Sequence, residues 1–232
     1  MFYPVSVSIV TSANPCRQGH TPHIILSLLL GYHPWFTHWI ALLPVSSKEV
    51  HYRQLFQIST KDESDAFEKL LPTLPDPITL DAVLLDLRHN LESFPLAMLG
   101  EVGLDRSFRV PLDYFASPRE FTPFTIPMEH QLAILEAQLT VAVEFGRNVS
   151  FHSVKSPTDT MQLFKRMSKT YAEKWENINI DMHSCGFSSQ SWEDMEVTLL
   201  LMLTCCTDIL LMLEKPFKCL LISLHHHQRP VS

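Results

Sequence analysis

Four times in this chain an apolar stretch ends in a polar tip. The tips are Gly31-Tyr32-His33-Pro34-Trp35, Gly100-Glu101-Val102-Gly103-Leu104-Asp105, Phe151-His152-Ser153 and Met182-His183-Ser184. One carboxylate with several imidazoles is a ligand set suited to zinc or a similar divalent ion. Each residue alone has a plainer use. A strand-end His serves as a hydrogen-bonded structural residue, and Glu101 as a helix cap. The joint occurrence at strand ends is what favours a metal site. In a parallel barrel the C-terminal strand ends all lie on one face, so residues this far apart in the chain can converge.

The elements that must hold these tips follow from periodicity. Residues 24–30 (IILSLLL) form a short apolar run bounded by Gly31, the pattern of a buried strand. Residues 79–92 predict a helix, with Leu80, Val83, Leu84, Leu87 and Leu91 on one face. Residues 96–99 are a second apolar run, ending at Gly100-Glu101. Pro127 suits a first-turn proline. Met128, Leu132, Leu135, Leu139 and Val143 then recur at helical spacing, and Gly146 suits the C-cap. Residues 149–154 alternate as a strand. Ser156 is placed to cap the next helix, with Asp159 three residues later. Residues 178–183 alternate again. Strands alternating with helices imply a parallel sheet, in a barrel or a doubly wound fold.

Residues 105–126, with Pro111, Pro118 and Pro123, read as a long loop, and such loops are often functional. The loop is expected to overhang the strand tips and to bring Arg106 or Arg109 to a phosphate, since Arg suits bidentate phosphate contacts. An ordinary surface ion pair is the competing use of each Arg. Past residue 190 the alternation fails.

The 232 residues, 46% of them apolar, are enough for one barrel-sized domain with a large core. A net charge of −7 excludes a broad basic footprint for nucleic acid. It leaves room for a nuclease whose metal ions supply the positive charge. Five Cys without a C-x-x-C pair argue against a disulfide framework and for a reducing compartment, cytoplasmic or nuclear. Met1-Phe2-Tyr3-Pro4 is a poor signal peptide. Residues 197–213 are 17 long and contain Asp208, which suits a buried helix or sequence foreign to the fold better than a membrane span.

GYHPWF at 31–36, GEVGLDR at 100–106, VSFHSV at 149–154 and DMHS at 181–184 resemble the successive motifs of TatD-type metal-dependent hydrolases, and most of all their fungal branch. The resemblance covers roughly residues 28–187. It implies an α/β fold, a TIM-like (β/α) barrel of the metal-dependent hydrolase type, with Zn, Mg or Mn on its C-terminal face. It implies Glu101 at the metal centre, His152 and His183 as ligands of one metal, and His33 lining the site as a catalytic residue beside Glu101. The implied reaction is hydrolysis of phosphodiester bonds in DNA or another substrate through metal-activated water.

The departures are equally specific. Residues 1–23 contain no H-x-H pair, and nothing after residue 190 matches the family's late Asp motif. The expectation is therefore a divergent segment at 1–23, a barrel core at 24–190 and a divergent Leu-rich tail at 191–232, with the barrel partial at both ends. Such a chain would bind at most one zinc or manganese ion and be a weak hydrolase. A non-catalytic relative acting through a protein partner is the alternative function.

Overall fold

The computed structural model describes residues 9–12, 25–185 and 188, and for residues 9–12, 25–27 and 183 the backbone alone. The expectations for residues 1–8, 13–24, 186–187 and 189–232, most of the divergent segment at 1–23 and the Leu-rich stretch included, lie outside the described residues.

The fold is mixed α/β around a parallel sheet. Strand β2 (Ile25–Leu30), β5 (Met98–Asp105), β6 (Val149–Val154) and β7 (Ile180–His183) lie side by side in chain order, all parallel. Strand β1 (Ile9–Ser12) adds an antiparallel edge beside β2. A small second sheet pairs β3 (Ile40–Ala41) with β4 (Ile78–Thr79). Helices α3 (Leu80–Ser93), α4 (Met128–Phe145) and α5 (Pro157–Tyr171) provide the crossovers, with a short α6 (Glu173–Glu176) before β7.

The predicted helix faces are the buried ones. Leu87 and Leu91 of α3 and Leu135, Leu139 and Val143 of α4 meet Leu99, Val102, Leu104 and Phe151 of the sheet in one core, while Val83 of α3 packs with Tyr32, Ile40 and Ile134. Gly146 closes α4 in the left-handed conformation, φ 59°, where a glycine carries no Cβ penalty. Pro127 stands one residue outside α4, as its N-cap, and not in the first turn.

Three further features differ from the sequence reading. Strand β5 does not stop at Gly100 but runs on to Asp105. Helices α1 (Lys48–Phe56) and α2 (Lys61–Leu70) fill a stretch where periodicity gave no helix. Ser156 precedes α5 but makes no capping hydrogen bond. Its Oγ lies 3.0 Å from Ser153 Oγ and donates to the Leu104 carbonyl at 3.4 Å, which ties the start of α5 to β5 and β6.

The loop at 105–126 is held at both ends of a narrow excursion. Val110 N donates to the Phe124 carbonyl (2.9 Å) and Thr122 N to the Val110 carbonyl (3.0 Å). Val110, Phe124 and Ile126 are buried with Tyr52, Phe67 and Leu70, so α1 and α2 serve as the loop's support.

Between β2 and β3 the 3-10 segment Pro34–Trp39 is locked by imidazoles from two helices. His51 Nε2 donates to the His38 carbonyl (2.8 Å), and His130 Nε2 to the Thr37 carbonyl (2.9 Å). The His38 ring is fully buried. Burial first, then His130 and His51, push its pKa down to about 3, against the Trp35 carbonyl. A lowered imidazole pKa means that the unfolded chain takes up the proton first as pH falls. The stabilisation is therefore complete above pH 6.5 and is lost on descent toward pH 3. Stability is expected to fall by about 3 kcal/mol between pH 6.5 and pH 4 from this residue. Urea unfolding across that range checks it: His38→Gln should flatten the slope, and an unchanged slope would refute the assignment.

Candidate metal centre

The site begins with two glycines. Leu99 pairs with Val149 and Val102 with Phe151, so the residues Gly100 and Glu101 stand opposite Ser150 alone. This is a β-bulge, and bulges re-aim a side chain. Gly100 has φ 153°, and an added Cβ would lie 2.8 Å from Ser150 Cβ. At Gly103 a Cβ would lie 1.8 Å from the His152 carbonyl oxygen. The GE-x-G spacing is thus a packing requirement: two side chains are removed so that β5 can run close against β6 with Glu101 turned out of the regular pleat.

Glu101 then meets two imidazoles. His152 Nδ1 lies 3.4 Å from Glu101 Oε1, and His33 Nε2 lies 3.8 Å from the same oxygen. The two rings meet edge to face at 4.6 Å between centroids. Donor atoms of His33, Glu101 and His152 all fall within 4.8 Å of one another. Both histidines are buried, and the Glu101 side chain is a quarter exposed, so the cluster opens to solvent on its carboxylate side. His183 pairs with His152 in register on the neighbouring strand. Its side chain lies outside the described part.

Asp105, the last residue of β5, contacts this cluster, and sequence reading gave it no role of its own. It is 5% exposed. Its Oδ2 lies 3.4 Å from His152 Nε2 and accepts from Trp35 Nε1 at 2.7 Å, while Oδ1 accepts from Ser107 N and Phe108 N. Burial opposes ionisation of Asp105, but the hydrogen bonds from His152, Trp35 and Ser107 outweigh it and hold the carboxyl well below the usual range. For His152, burial disfavours the imidazolium. Asp105 and Glu101 outweigh it and raise the pKa, so the position between the two carboxylates favours positive charge. Gln131 of α4 grips the Asp105 backbone from both sides, accepting from its N–H (2.9 Å) and donating to its carbonyl (3.1 Å). Gln138, two turns further along the same face of α4, does the same for Tyr32 before the His33 tip.

These features fit a divalent cation. Donors of suitable chemistry converge, the local field favours a cation, and a carboxylate backs the ring nitrogen of His152 that faces away from Glu101. His33 is placed differently. Its Nδ1 accepts from Trp35 N at 3.2 Å, so the proton of the neutral ring sits on Nε2, toward Glu101. That favours a proton-holding role for His33 over a ligand role.

The two predicted arginines separate. Arg106 donates to Asp159 of α5 at 2.5 Å, in a pair that is half exposed on the arginine side, and must leave it to reach a substrate. Arg109 lines a cavity beside Asp105 and Trp35. The loop carrying both lies against the site: Phe108 stacks on Trp35 at 5.1 Å, and Tyr114 OH donates to the Trp35 carbonyl at 3.2 Å.

No family model matches the chain. Two curated proteins do. Over 153 residues it is 30% identical to the Cut9-interacting protein scn1 of Schizosaccharomyces pombe, a stretch that is 62% of this chain and 44% of that protein. Over 164 residues it is 24% identical to the uncharacterized deoxyribonuclease YMR262W of Saccharomyces cerevisiae, 69% of this chain and 49% of that protein. The chain spans about half the length of the relatives it matches.

Proposed function

We propose, from the premise that the chain is a relative of the fungal TatD-type proteins, that it is a metal-dependent hydrolase of phosphodiester bonds, with nucleic acid as its substrate class. The observation that carries this reading is the convergence of Glu101 in β5, His152 in the adjacent β6 and His33 just past the end of β2. Strands β2, β5, β6 and β7 succeed one another in space as in sequence, the winding expected of a TIM-like barrel, and that supports this fold for the core at 24–190.

Glu101 and His152 would hold the ion, with His183 as third ligand. A bound divalent ion lowers the pKa of water and neutralises charge on phosphate oxygens. Asp105 fixes the orientation of the His152 ring, and Gln131 fixes Asp105. His33 holds a proton at Nε2 beside Glu101, where it can be exchanged with a reacting group. The described donors converge on one point, so one ion at most, as zinc, manganese or magnesium, and slow cleavage are expected. Hydrolysis of single-stranded DNA by the purified chain should be lost in chelator and restored by zinc or manganese. Cleavage indifferent to chelator would exclude the metal-dependent reading.

A second reading is a non-catalytic protein that acts through a protein partner. It is favoured by one relative's name, a Cut9-interacting protein. Metal binding without any hydrolysis would support it. Among the described residues no helix is long and apolar enough to cross a membrane.

A further inference from the structure

Seven arginines lie among the described residues, and five are engaged by the protein. Arg53 pairs with Glu49 and Glu68, Arg88 with Glu144, Arg106 with Asp159 and Arg166 with Glu136. Arg147 donates to the Leu91 carbonyl. The guanidinium groups of Arg109 and Arg119 have no ion pair or hydrogen bond among the described residues, and both line one cavity. The cavity measures about 300 Å³ and is bounded also by Trp35, Asp105, Ser107, Phe108 and Phe121. Two of its walls, Trp35 and Asp105, are the groups that contact His33 and His152. In a chain of net charge −7, two unpaired guanidinium groups in one concave site mark a place for an anion. Phe121, 57% exposed at the same rim, offers an aromatic face to a base. The volume is at the low end for small-ligand sites, enough for one nucleotide and far too small for a duplex.

We propose that this cavity is a nucleotide subsite: Arg109 and Arg119 hold one phosphate group, and Phe121 stacks the attached base, next to the carboxylate–imidazole cluster. The subsite extends the phosphodiesterase reading and rests on it for the class of ligand. It assigns anchoring to Arg119, which lies thirteen residues beyond the paired Arg106 and on the far side of the loop's excursion.

The test is calorimetric titration of the chelator-treated full chain with deoxythymidine 5′-monophosphate, deoxythymidine and inorganic phosphate. The monophosphate should bind about tenfold or more tightly than the nucleoside, and Arg109→Ala and Arg119→Ala should each cost about tenfold. Phe121→Ala should weaken the monophosphate and leave inorganic phosphate unchanged, which separates stacking from charge. Arg166→Ala, whose partner is Glu136, serves as the control for lost positive charge. Equal monophosphate affinity in the intact chain and an Arg109→Ala/Arg119→Ala double variant would overturn the subsite, as would no binding to the intact chain. The readouts are independent: metal-dependent hydrolysis unaffected by the double variant sinks the subsite alone, and monophosphate binding without hydrolysis sinks only the catalytic reading.

Discussion

Glu101→Gln is expected to bring DNA hydrolysis down by about a thousandfold, to the level seen in chelator, while the chain keeps its circular dichroism spectrum. Glutamine has nearly the same shape, so the bulge at Gly100 and Glu101 has no reason to rearrange. What is lost is the negative charge that faces both imidazoles within 3.8 Å. A metal site contributes several kcal/mol of charge stabilisation, and about 4 kcal/mol corresponds to three orders of magnitude in rate. The side chain is 25% exposed and lies at the edge of the core, so the stability cost should stay within about 1 kcal/mol. Hydrolysis reduced less than tenfold in this variant would mean that Glu101 is not at the reacting centre.

Gly103→Ala should be the most damaging substitution to the fold, by about 4 kcal/mol or more. The new Cβ would sit 1.8 Å from the His152 carbonyl oxygen and 2.7 Å from its carbonyl carbon. Those atoms are backbone, and Gly103 pairs with His152 in the ladder, so relief requires β5 and β6 to separate. Any fraction that still folds would have its His152 displaced, and metal affinity should fall with stability. Gly146→Ala is the internal comparison. It carries the left-handed φ of 59° but meets nothing within 4 Å, so it should cost about 1 kcal/mol. Urea midpoints of the two variants measure the difference, and similar midpoints would refute the close-approach argument.

The contrast between these glycines shows what could be read in advance. The parallel strands and α3, α4 and α5 were legible because a buried run or a 3.6-residue stripe leaves a clear apolar pattern. Helices α1 and α2 left little pattern, since α1 buries only His51, Tyr52 and Leu55 and α2 only Phe67 and Leu70. Their marks were the caps: Ser47 accepts from Val50 N, and Thr60 and Glu63 form a reciprocal capping box. Glu101 and His152 stood out because each follows an apolar run in the sequence, although both lie inside their strands. Asp105 was part of the same motif but read as its end, and only the ladder shows that it is still in β5 and turned toward His152. Gln131 and Gln138 could not be picked out from a helix with polar residues on most turns. Their role depends on which backbone atoms α4 crosses, and that is set by tertiary packing.

Anomalous diffraction at the zinc edge, from crystals of the full chain grown with zinc, tests the account most directly. It should show one ion bound to Glu101 and a ring nitrogen of His152 at ~2.0–2.2 Å, with His33 beside it and the ion absent in Glu101→Gln crystals. No zinc at this cluster, or an ion that stays in place when Glu101 is replaced, would contradict it.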